Sequence, residues 1–144
     1  MNPLIILIRF LYLFLIIIKR RLQRPWFHFT GIGLWTSDEK RDSQYLFDPW
    51  SITHIAHGTV FYIVLVSILN LSGLSILWIW KIVIILCVEM IWEIFENTPY
   101  VIQWWRTSGQ CPFYRGDSII NSLGDIFACF CGICIATLLT NLIF

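Results

Sequence analysis

Four long apolar runs decide what this chain can fold into. Leu4 to Ile18 is interrupted only by Arg9, and Ile52 to Leu71 contains no Lys, Arg, Asp or Glu. Ile76 to Phe95 carries Lys81, Glu89 and Glu93, and Ile119 to Phe144 carries Asn121 and Asp125. A hydrocarbon core of ~30 Å is crossed by roughly 20 helical residues; three of the runs have that length and the first falls short. Backbone inside lipid must satisfy its own hydrogen bonds, so such runs form helices. The expected architecture is an all-α integral membrane protein, a small bundle of four transmembrane helices at about 4–18, 50–71, 76–97 and 118–142, with residues 1–144 as one membrane domain. Composition agrees: 58% of residues are hydrophobic and 13% charged, against about half and a quarter in soluble domains.

Charge placement suggests an orientation. Lys19, Arg20, Arg21, Arg24, Lys40 and Arg41 lie in the loop 19–49, and Arg106 and Arg115 in the loop 98–117, whereas the other side has only Lys81 and the N-terminus. Positive residues favour the cytoplasm, which places both large loops there and both termini outside, in the manner of a multi-pass protein of a bacterial inner membrane. The basic residues follow the first apolar run and no small-residue cleavage site comes after it, so that run reads as a retained anchor, not a signal peptide. A net charge of +1 excludes a broad electrostatic attraction to nucleic acid. Cys131 and Cys134 form a C-x-x-C, but without a second pair and within an apolar run they read as packing residues.

Local signals set the helix ends. In "FDPWS", Asp48 is an N-cap and Pro49 suits the first turn. "NLSG" (70–73) is a short turn, so the helices on either side of it are antiparallel. Pro99 disfavours helix at the residue before it and ends the third span near Asn97. The aromatic loop that follows contains Trp104 and Trp105, a headgroup-zone pair. "GDS" caps the last helix through Asp117 or Ser118.

Polar residues in the three longer runs form stripes. Ser51, His54 and His57 are three apart; Glu89, Glu93, Glu96 and Asn97 share one arc; Asp117, Asn121 and Asp125 repeat every four. His57, Glu89 and Asp125 each lie eight residues from a helix end on the side of the large loops, a depth of about 12 Å at ~1.5 Å per residue. The three stripes therefore meet at one level. The last stripe continues as Ala128, Gly132 and Ala136, small residues of the kind that line close helix contacts, so that face is expected to be buried in protein. Gly58 likewise can admit a neighbouring helix.

Ionisable groups within a membrane are costly and mark functional sites. His57, Glu93 and Asp125 are the candidate catalytic acids and bases. His54, His57, Glu89, Glu93 and Asp125 are candidate ligands for a divalent metal ion such as zinc, iron or manganese. Ser51, Glu96, Asn97, Arg106, Arg115, Asp117, Ser118 and Asn121 are candidate ligand-binding residues, the arginines for phosphate or carboxylate. H-x-x-H is not a metal signature by itself, and the H-E-x-x-H of zinc hydrolases is absent.

The same residues carry a resemblance. Ser43-Gln44, Asp48, "SITHIAHGTVFY" (51–62), "WEIFEN" (92–97), Arg106 and "YRGDSIINSLGD" (114–125) resemble, in order, the pattern of small inner-membrane proteins, mainly alphaproteobacterial, grouped as an uncharacterised protein family with a domain of unknown function. The resemblance covers roughly residues 28–135. It implies a multi-pass inner-membrane protein and no particular activity. A looser likeness in layout links the chain to VanZ-like proteins. Three readings stay open: a membrane-embedded enzyme or binding protein acting on a lipid or lipid-linked headgroup; a structural or interaction protein whose polar network fixes helix packing; and a small transporter, which with four helices would have to form a homo-oligomer. The apolar residues Val60 to Leu69 and Ile133 to Leu139 argue against a continuous polar path.

Overall fold

The computed structural model describes residues 33–143, together with Arg9 and Tyr12. The first expected span, 4–18, lies outside the described residues except for those two, which are in helical backbone. Four helices follow: α1 (Ser51–Leu71), α2 (Trp78–Glu96), α3 (Pro99–Thr107) and α4 (Ile119–Ile143). Among the described residues there is no strand, only an isolated bridge between Trp35 and Phe47 that closes the loop preceding α1.

Two helices, α1 and the Ile119–Thr140 part of α4, are long and apolar enough to cross a membrane. Helix α2 is similar in length, but Lys81, Glu89, Glu93 and Glu96 interrupt its apolar character. The expected loop at 98–117 needs correction, because α3 occupies its first half. Pro99 stops one helix and starts another: Thr98 caps α3 by accepting from Val101 N–H at 3.4 Å, and Pro99 stands where no amide donor is needed. Arg106 sits in the last turn of α3, where a cation suits the helix dipole.

The start of α1 is tied down by Asp48. Its Oδ1 accepts from Trp50 N–H at 2.9 Å, and Ser51 Oγ accepts from Asp48 N–H at 3.2 Å; this fixes the turn before the helix, whose N-cap is Trp50, without a side-chain cap, and not Asp48 as expected. Ser118 caps α4 by accepting from Asn121 N–H at 3.1 Å.

Helices α1 and α4 form the main contact, and two glycines set its closeness. A Cβ on Gly58 would fall 1.9 Å from the Cys129 carbonyl oxygen, and one on Gly132 would fall 2.0 Å from that of Ile55. Backbone therefore packs directly on backbone, and Thr59 Oγ1 donates to the Gly132 carbonyl at 3.2 Å. Ala128, Gly132 and Ala136 are all buried on this seam, as the small-residue stripe predicts. Tyr62, Ile82, Ile85, Cys129, Ile133 and Ala136 make the apolar core. The five cysteines are free thiols.

Polarity is inverted relative to a water-soluble bundle. Val60, Ile63, Val64 and Ile68 of α1, Ile84, Val88 and Ile91 of α2, and Phe127, Leu138 and Leu139 of α4 are exposed. Asp48, Glu89, Glu93, Asn121 and Asp125 are buried.

Candidate functional site

The three polar stripes converge. Helix α1 presents Ser51 and His54 to α4 and α2 in turn. Ser51 Oγ donates to Asp125 Oδ1 at 2.7 Å. His54 Nδ1 is in hydrogen-bond contact with Glu89 Oε1 and lies 3.6 Å from Glu93 Oε1, while His54 Nε2 lies 3.9 Å from Asp125 Oδ2. One imidazole thus stands between carboxylates from two other helices. His57, one turn on, is half-buried; it stacks on Phe61 at 5.4 Å, meets the edge of Trp92 at 5.7 Å and faces Glu89 Oε2 at 3.4 Å.

The carboxylates are deeply enclosed: Glu89 is 0% exposed, Glu93 2% and Asp125 3%. His57 Nδ1, Glu89 Oε2 and both carboxylate oxygens of Glu93 are buried without a hydrogen-bond partner. Buried polar atoms are nearly always paired; here His57 Nδ1 and Glu89 Oε2 face only each other, at 3.4 Å, and Glu93 has His54 Nδ1 at 3.6 Å. Two donor sets have ligand atoms within 4.8 Å of one another: His54, His57 and Glu89, and His54, Glu93 and Glu96. In the second set, the 3.6 Å from His54 Nδ1 to Glu93 Oε1 is near the ~3.3 Å edge of a tetrahedron with metal–ligand bonds of about 2.0–2.1 Å. The donor chemistry and spacing fit a divalent cation.

Above this centre lies a cavity of about 300 Å³. It is enclosed by the start of α1, the end of α2, α3, the first turns of α4 and loop residues from 37–43 and 110–117. His54, Glu96, Asp117, Asn121 and Asp125 line it; His57, Glu89 and Glu93 stand behind that lining. Arg106 and Arg115 are exposed and outside the lining, and Ser118 is half-buried at the cap of α4. The structure therefore does not bring the arginines to the other site residues.

Second-layer contacts fix the cavity wall. Asn97 Oδ1 accepts from Asp117 N–H at 2.6 Å while Asn97 Nδ2 donates to Asp117 Oδ2 at 2.6 Å, and Tyr114 Oη donates to the same oxygen at 2.8 Å. Asp48, fully buried, takes Ser43 N–H at 2.7 Å and Asn121 Nδ2 at 3.2 Å on Oδ2. Ser43 is held at a φ of +70° and accepts from Ser118 N–H at 2.7 Å. A non-glycine residue in that conformation costs roughly 1–2 kcal/mol, and it joins the loop before α1 to the start of α4.

Sequence reasoning missed the contribution of the loops and of α3: Glu39, Asp42, Trp50, Trp105 and Tyr114 all line the cavity. Asp42 is pushed up to about 6, first by burial and then by the charges of Asp48, Glu39 and Asp38. Burial and the carboxylates of Asp117 and Glu96 push the Tyr114 phenol well above its ordinary range. In both, burial is the larger cause and the neighbouring carboxylates add to it.

A family model described as "protein of unknown function (DUF2585)" matches residues 15–143. The chain belongs to this family. Its DUF2585 relatives include a UPF0314 protein of Brucella anthropi, 30% identical over 124 residues (79% of this chain, 61% of the relative). Another, from Paracoccus denitrificans, is 32% identical over 108 residues (74% and 54%), and one from Sphingopyxis alaskensis is 36% identical over 96 residues (65% and 49%). The aligned regions thus span between about half and three-fifths of these relatives' lengths. No solved structure matches the chain.

Proposed function

We propose that this DUF2585 protein is a multi-pass protein of the bacterial inner membrane, a four-span bundle that holds a divalent metal ion at His54, Glu93 and Glu96 and acts on a lipid or lipid-linked headgroup taken into the cavity. The observation that carries the reading is Glu93: 2% exposed, with both carboxylate oxygens unpartnered, next to His54 and Glu96 in a ligand-compatible set. With only His54 Nδ1 at 3.6 Å beside it, this buried carboxylate is costly when ionised, and a bound cation offsets that cost. Membrane insertion is supported by the two long apolar helices and by the exposed aliphatic faces around a polar interior. Such faces exceed what soluble monomers show.

His54, Glu93 and Glu96 would hold the ion, which would supply Lewis-acid chemistry there. Asp125, held by Ser51, faces the cavity and is placed to take a proton from a headgroup hydroxyl or water. His57 and Glu89 orient His54 from behind.

A structural polar core is the competing reading, favoured by the pairs Asn97–Asp117, Ser51–Asp125 and Asp48–Asn121, each of which ties separate elements together. Elemental mass spectrometry on the detergent-purified chain separates the two. A first-row metal in stoichiometric amount, lost in His54→Ala and Glu93→Gln with helical circular dichroism retained, is the expected result. A folded, metal-free native chain that cannot be loaded by added metal ion sinks the metal reading.

A further inference from the structure

The lining of the cavity points to one ligand chemistry. Five carboxylates face it, those of Glu39, Asp42, Glu96, Asp117 and Asp125, and among the described residues no lysine or arginine does. An anionic phosphate headgroup alone would meet repulsion on every side of the outer cavity. Aromatic rings complete the wall: Trp50 and Trp105, whose rings are 5.9 Å apart and tilted by 51°, with Phe113 and Tyr114. Carboxylates and aromatic faces together are the arrangement that recognises organic ammonium groups.

Two buried groups here lack hydrogen-bond partners. In the lining itself, Asp42 Oδ1 is buried without one. Behind the lining, on a different element, both oxygens of Glu93 are buried without one, in a set with His54 and Glu96. The nearby cations already lie on aromatic rings. Arg41 lies over the Tyr45 ring at 5.1 Å, and Lys40 Nζ lies over the Phe113 ring at 5.5 Å. The latter contact shows that a ring of the cavity wall already serves an ammonium.

We infer that the cavity takes an organic ammonium group, with Asp42 and Glu39 as its counter-charges and the Trp50–Trp105 pair as its aromatic wall. This inference deepens the proposed function by naming the headgroup class: an amine-bearing one, supplied either by a membrane lipid or by a free soluble amine.

The test uses the full 144-residue chain in detergent, with intrinsic tryptophan fluorescence and calorimetry as readouts. Probes are phosphoethanolamine and phosphocholine, with glycerol phosphate as the ammonium-free control. Both ammonium probes are expected to bind and the control not to. Asp42→Asn and Trp105→Ala are each expected to weaken binding about tenfold, the scale of a desolvated cation–π or ion-pair contact, and Trp105→Phe to restore most of the loss at that position. Nanodiscs of phosphatidylethanolamine against phosphatidylglycerol then separate the sources. Protection of the cavity by the ethanolamine lipid alone assigns a lipid headgroup; binding of the soluble probes with no lipid preference assigns a free amine. Glycerol phosphate binding as tightly as the ammonium probes, or affinity unchanged in Asp42→Asn and Trp105→Ala, overturns the inference. Metal content is measured in parallel. Metal retained without ammonium binding defeats this inference alone, and ammonium binding without metal defeats only the metal site.

Discussion

Asn97 and Asp117 hold each other by a double contact. The Asn97 carbonyl accepts Asp117 N–H and its amide donates to Asp117 Oδ2, both at 2.6 Å. The amide thereby joins the end of α2 to the segment leading into α4 and fixes one wall of the cavity. Asn97→Ala leaves a partly buried main-chain donor and a carboxylate oxygen short of a partner. The expected loss is about 1–3 kcal/mol, seen as a lower midpoint in denaturant or thermal unfolding in detergent. An equal loss in Asn97→Asp is also expected, because that change sets two carboxylates against each other.

Glu93 gives a test by sign. Without a cation, Glu93→Gln removes an unpaired buried charge and is expected to leave stability unchanged or raise it. With a cation bound, the same change removes a ligand and lowers stability. Unfolding of the native chain and of Glu93→Gln, each with and without a strong chelator, distinguishes the cases. The expected outcome is a chelator-sensitive native chain and a chelator-insensitive variant. A native chain whose midpoint does not respond to chelator contradicts the metal assignment.

The helical part of this site is legible in sequence because helix geometry turns spacing into direction. Ser51 and His54 three apart, or Asn121 and Asp125 four apart, share a face whatever the surroundings, and the same rule places Ala128 and Gly132 on the α1–α4 seam. Helix α3 escapes because Thr98-Pro99 carries two meanings: a stop for α2 and a cap with first turn for the next helix. The cavity wall escapes for a different reason. Asp42 and Ser43 reach it through long-range contacts such as Asp48 with Asn121 and Ser43 with Ser118, which leave no periodic trace. The arginines are attractive by charge alone, but they are exposed and outside the cavity lining.

The α1–α4 seam is intolerant of side-chain volume. With the nearest backbone oxygens only 1.9 and 2.0 Å from the added atoms, Gly58→Ala and Gly132→Ala push the helices apart, at an expected cost of about 1–3 kcal/mol or more each. Ser51–Asp125 and His54–Asp125 contacts stretch with them, so ligand binding falls along with stability. Gly73→Ala is the control: nothing lies within 4 Å, and its φ of +63° leaves only a backbone penalty of roughly 1–2 kcal/mol. Unfolding of all three in one detergent, with metal content measured on the folded material, is expected to show loss of metal at the seam positions only.

Asp42 sets a pH dependence of definite sign. Its folded value is raised from the ordinary 3.8 to about 6, by burial first and neighbouring carboxylates second. The folded protein therefore binds this proton more tightly than the unfolded chain does. The associated stability is fully present below pH ~4 and is lost as pH rises through about 6. Asp42→Asn abolishes that contribution to the slope, so the native-minus-variant difference in unfolding free energy is expected to fall between pH 4 and pH 7 and to level off above. An ammonium ligand stabilises the ionised carboxylate and lowers its pKa, so saturating phosphoethanolamine is expected to shift this fall to lower pH in the native chain. Unfolding titrations at several pH values, on both proteins with and without the probe, read the slope directly. A native slope no different from that of Asp42→Asn would place Asp42 outside the negative cavity that the ammonium assignment requires.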